Sequence, residues 1–222
     1  MQNSYSYAAN NPIIGKDPDG RLVELISRPI GGPLGALGAH AFVFVTPDNP
    51  KTIGSISGVD TSRSFSLSGL PANGQLRTVA NDATDYMYGS CGSLCPSAAR
   101  VAISPPKGMT SEQFDASVVS SYNNTPSDLG SYFGLGWPRT IGKPNSNNTA
   151  STILMGAGVS GSQLYQYRQA LQNTNNLWTP GLGVSATSPT YAQQVLGQLT
   201  SLLNTASAIL SSMSAAKSTN SK

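Results

Sequence analysis

The chain has a single histidine, His40, which opens the run HAFVFVT (40–46) directly after a glycine-rich stretch, GGPLGALG (31–38). Imidazole is the side chain best suited to accept and return a proton near neutral pH. Glycines before it leave space for a substrate or a facing backbone. A second group of polar side chains lies in NSNNTAST (145–152). Asn and Ser are favoured helix caps, so one of these residues is expected to cap. Four consecutive polar residues exceed what a cap requires. A helix start, with its free N–H groups and positive dipole end, is also where a hydroxyl is activated and an oxyanion held. This nominates Ser146 as nucleophile or oxyanion donor, flanked by Asn145 and Asn147, with His40 as base. Ser55, Ser57 and Asp60 follow His40 and are candidates for a third polar member by order alone.

Other chemistries lack their residues. One histidine and two cysteines, Cys91 and Cys95, cannot complete a four-ligand zinc site, and neither metal nor cofactor is expected. The cysteines admit either a disulfide or two thiols in a Gly/Ser-rich turn. There is no phosphate-binding glycine loop, Gly-x-Ser-x-Gly elbow or zinc-protease helix motif. The formal net charge of +3 is small and dispersed, and no nucleic-acid partner is expected.

These groups need elements to hold them. LVELISRPI (22–30) and HAFVFVT read as strands, and TIGSISG (52–58) and SRSFSLSG (62–69) alternate like half-buried antiparallel strands. LRTVAND (76–82) and ARVAISP (99–105) add two shorter ones. Thr110 and Gln113 form a capping-box pattern ahead of Phe114, Val118 and Tyr122 at helical spacing. Pro144 and Asn145 open a further helix, with Ile153 and Leu154 on its buried face and Gly156 and Gly158 at its end. Residues 160–173 and 190–216 read as two more. Strands first and helices afterwards predict an α+β fold, an antiparallel sheet from the N-terminal half packed against helices from the C-terminal half.

The opening YSYAANNPIIGKDPDG places Tyr5, Tyr7, Asn10, Asn11, Pro12, Asp17, Pro18 and Gly20 in an order that resembles the last line of the RHS repeat-associated core. The resemblance implies a boundary: residues 1–22 as the end of that core and 23–222 as a polymorphic toxin domain. It implies that Asp17 belongs to an aspartyl self-cleavage dyad that cuts near Leu22, the other aspartate lying upstream in the core. It further implies a secreted effector of interbacterial competition, of the type VI kind, delivered into a target cell, with the RHS cage and a cognate immunity protein as partners. Residues 1–20 carry no apolar signal-peptide core, which a fused toxin would not need.

A strand-borne histidine early and a polar helix start late also resemble the circularly permuted papain-like hydrolases of the NlpC type. The resemblance implies a hydrolase or acyl transferase acting on an amide or ester. That family usually has cysteine where this chain has Ser146, and a serine needs a stronger base and an orienting group. Two other toxin classes compete. All ten acidic residues lie at or before Asp128, and no charged side chain falls between Arg168 and Lys217. That stretch, with the 190–216 helix, suits a membrane-active, pore-forming toxin. An ADP-ribosyltransferase or nuclease is the third class, for which the chain lacks clustered His, Asp and Lys.

Overall fold

The computed structural model describes residues 22–30, 38–132, 144–175, 177, 179 and 182. Six strands form one antiparallel sheet: β1 Val23–Pro29, β2 Ala39–Val45, β3 Phe65–Ala72, β4 Gln75–Ala80, β5 Ala99–Ala102 and β6 Asp128–Ser131, in the order β5-β1-β2-β3-β4-β6. Helix α1 Ala83–Ser90 lies between β4 and β5, and α2 Ser111–Asn124 between β5 and β6. Helices α3 Ser146–Gly156 and α4 Gly161–Asn175 follow. The fold is therefore α+β, with the N-terminal sheet packed against C-terminal helices as the pattern predicts.

Period-two alternation along β2 divides the molecule into two layers of contact. Ala41, Val43 and Val45 join the main core with Leu25, Phe65 and Leu67, beneath Phe114 and Val118 of α2, Ile153 and Leu154 of α3, and Leu164 and Leu171 of α4. His40, Phe42 and Phe44 face the other side. There Phe42 and Phe44 join Ile26 and Tyr88 in a smaller cluster, and His40 stacks 6.0 Å from Phe42. Helix α1 covers this second face. It comes so close at Gly89 that a β-carbon there would overlap the Phe44 ring.

One strand expectation is corrected. Residues 52–58 form turns with an isolated bridge between Ile56 and Val59, not a strand. Ile53 and Ile56 are its buried apolar residues, three apart, and Gly54 and Gly58 have φ of +90° and +75°. A strand would bury every second residue and needs extended backbone throughout. Helix α1 and strand β6 are additions to the elements read from the sequence. Thr110 and Gln113 do form the capping box of α2. Cys91 and Cys95 are joined in a disulfide just after α1. Arg100 holds that end of the helix by donating to the carbonyls of Tyr88 and Gly89. Among the described residues no helix is long and apolar enough to cross a membrane. The 190–216 helix, Asp17 and the glycine-rich 31–37 lie outside the described residues.

Candidate active site

Register in the β1–β2 hairpin sets Arg28 directly across from His40, both on the α1 face. Helix α1 supplies the third member. Asp82 caps it by accepting from the backbone N–H of Thr84 and Asp85, which starts the helix so that its third residue, Asp85, meets the sheet. Asp85 is fully buried. One carboxylate oxygen, Oδ2, lies 3.0 Å from His40 Nε2, and the other, Oδ1, accepts from Arg28 Nε at 2.7 Å.

Burial alone would raise the Asp85 pKa. The His40 hydrogen bond and charge, the Arg28 charge and the neighbouring Ser68 hydroxyl outweigh it and hold the carboxyl at about 2. Ser68 contributes by proximity, because its buried hydroxyl makes no hydrogen bond of good geometry. An Asp85 ionised at neutral pH can only accept. His40 therefore donates through Nε2, and in the neutral ring the lone pair sits on Nδ1. Among the described residues Nδ1 has no hydrogen-bond partner. Arg28, Asp85 and His40 thus form a hydrogen-bonded set in which a neutral imidazole would present its lone pair at Nδ1.

The start of α3 reaches the same strand from the other side. Strand β3 pairs with β2 only along Val43–Val45, so the β2 backbone around His40 lacks a partner from β3. Asn147 fills the gap. Its side-chain oxygen accepts from Ala41 N–H at 2.6 Å and its side-chain nitrogen donates to the Ala39 carbonyl at 3.1 Å, replacing a strand with one carboxamide. Asn145 is the cap, accepting from the N–H groups of Asn147 and Asn148, and Asn148 returns the bond to Asn145 N–H. Two of the three nominated polar residues of this turn therefore have structural work, Asn145 in starting the helix and Asn147 in fixing it to β2. Ser146, the first helical residue, takes no part in the cap and is 7% exposed. It is not hydrogen-bonded to His40, whose ring lies on the α1 side while the apolar face of α3 packs on the opposite side. The first turn of α3 meets β2 at its edge, with Asn147 bonded to both residues that flank His40.

Ser55, Ser57 and Asp60 are exposed in the 52–61 turns, and Asp60 binds Ser62 and Arg63. His40 takes Asp85 instead, a residue the sequence reading did not nominate. The available signal was Asn81-Asp82-Ala83-Thr84-Asp85, a cap with an acid three positions on. Leu22 is tied into the fold through its carbonyl, which accepts from Thr46 N–H at 2.9 Å. Among the described residues no group of His, Cys, Asp or Glu is arranged to hold a metal ion. Compared with protein families, curated proteins and solved structures, the chain matches none.

Proposed function

We propose that this chain carries the C-terminal toxin domain of an RHS-type effector, acting as a serine hydrolase or acyl transferase on an amide or ester of the recipient cell. The observation that carries the chemistry is the Asp85-held His40, with Nδ1 free, on the strand to which the first turn of α3 is pinned. In this reading Nδ1 removes the Ser146 hydroxyl proton as Oγ attacks the carbonyl carbon. The resulting imidazolium is stabilised by Asp85 and returns the proton to the leaving amine or alcohol. Water, or an acceptor nucleophile, then releases the acyl group from Ser146 by the same proton route in reverse. The positive end of α3 favours the oxyanion that forms beside Ser146. Catalysis requires Ser146 Oγ to reach Nδ1 in the substrate-bound state, a contact that the structure does not contain.

The RHS-like opening supports delivery into another cell, with the RHS cage as carrier and an immunity protein as protector of the producer. The Cys91–Cys95 disulfide suits an oxidising destination. Expression of residues 23–222 without its immunity partner is expected to arrest bacterial growth, and co-expression of the partner to restore it. His40→Ala and Ser146→Ala should each abolish the arrest. Normal growth with folded wild-type protein in both cytoplasm and periplasm would defeat the toxin reading, and arrest by both variants would defeat the assigned chemistry.

A further inference from the structure

Arg28 is only partly used by Asp85. A guanidinium facing a carboxylate commonly pairs through two nitrogens, but here Nε alone is bonded, because Oδ2 of Asp85 is taken by His40. Nη1 makes one long contact of 3.5 Å with the Pro29 carbonyl. Nη2 has no partner among the described residues. The Tyr88 ring, 5.8 Å away, lies against the guanidinium and limits its swing. The Arg28 side chain as a whole is 12% exposed. Across the strand pair from Arg28 stands His40, with Nδ1 unpaired. Ser68, wholly buried beside Asp85, has an unpartnered hydroxyl. Among the described residues, Arg28 Nη2, His40 Nδ1 and the Ser68 hydroxyl therefore lie around one carboxylate without hydrogen-bond partners.

Two of the three are donors, and the carboxylate they surround, Asp85, is already bonded to Arg28 and His40. What this edge lacks is an acceptor with more than one oxygen. From this geometry we infer that Arg28 is a specificity residue: its guanidinium edge, where Nη2 is unpartnered among the described residues, binds an anionic oxygen group, a carboxylate or a phosphate, carried by the substrate next to the bond that His40 and Ser146 attack. The inference rests on the proposed hydrolase reading and adds the substrate class, an amide or ester with a neighbouring oxyanion. The planar fork of Arg28 suits two oxygens at once, a geometry that an ammonium does not reproduce.

His40 is the only histidine in the chain, so its ring protons give isolated NMR signals that report on this site. The full chain with Ser146→Ala, folded and harmless in the proposed reading, would be titrated with sodium acetate and, separately, with inorganic phosphate, against sodium chloride at matched ionic strength and pH. Expected is a saturable movement of the His40 signals with acetate, phosphate or both, and none with chloride. The tighter of the two names the substrate group. Arg28→Lys, which keeps the charge facing Asp85 but loses the fork, should weaken binding at least tenfold. Arg28→Gln should abolish it, with unchanged circular dichroism in both variants. Movement equal to that with chloride, no movement, or binding that survives Arg28→Lys in a folded protein would overturn the inference. Failure here with His40→Ala and Ser146→Ala still detoxifying removes Arg28 alone. Anion binding together with growth arrest by those variants removes the catalytic reading, and with it the substrate role of Arg28.

Discussion

At the scale of single residues, the base is made by its partners. His40 sits in a nearly buried position where its tautomer is dictated by Asp85, and Asp85 stays ionised because two cations or donors face it. Asp85→Asn keeps the shape but removes the obligatory acceptor, so the proton is no longer confined to Nε2. Catalysis should fall roughly a thousandfold or more, close to the loss in His40→Ala, and the double variant should lose little beyond either single one. Growth inhibition against expression level measures this, and additive losses would mean that the two residues act separately. His40 and the Asn145–Asn147 turn were legible because a sole histidine and a run of cap residues are conspicuous. Asp85 was not, because it reaches His40 across 45 positions from a helix with little apolar patterning.

Among the elements, β2 and α3 share the apolar core of Ala41, Val43, Ile153 and Leu154 and are also joined by the Asn147 carboxamide. Asn147→Ala would leave the Ala41 N–H and the Ala39 carbonyl buried without partners, at a cost of about 3 kcal/mol. Asn147→Asp can still accept from Ala41 but cannot donate to Ala39, so it too should destabilise. Urea denaturation midpoints test both, and a wild-type midpoint for Asn147→Ala would show that water replaces the side chain without penalty. The strands flanking this junction were readable from alternation and β-branched residues. The 52–58 segment misled because Ser55-Ile56-Ser57 alternates locally, whereas Ile53 and Ile56 are three apart and the positive-φ Gly54 and Gly58 bend the backbone. Strand β6, four residues reading DLGS, lacks any β-branched residue, and only its pairing with β4 makes it a strand.

Across the whole molecule, stability and activity respond differently to pH. Asp115, on α2, is pushed up to about 7 by burial, while the Asp48 N–H bond acts in the opposite direction and the negative charges of Asp48 and Glu112 add to the rise. An acid with a raised folded pKa contributes stability that is intact below its unfolded value near 4 and is lost as pH rises through about 7. Asp85 has the opposite sign: its contribution is present above that unfolded value and is lost as pH falls toward 2. The protein should therefore be most stable in mildly acidic solution. Asp115→Asn, which can still accept from Asp48 N–H, should flatten the decline between about pH 4 and 7 in thermal unfolding, and an unchanged slope would exclude Asp115 as its source. The division into an N-terminal sheet and C-terminal helices was evident from the order of the patterns, whereas the placement of α1 on the opposite face from α3 depends on packing that no local pattern encodes. The central claim, that Ser146 is a nucleophile activated by His40, is tested most directly by a fluorophosphonate, which forms a serine–phosphorus bond with loss of fluoride only at an activated hydroxyl. Mass spectrometry of the labelled protein should find one adduct, on the peptide carrying Ser146, absent in Ser146→Ala and strongly reduced in His40→Ala. An unlabelled Ser146 in active protein, or equal labelling with and without His40, would contradict the account.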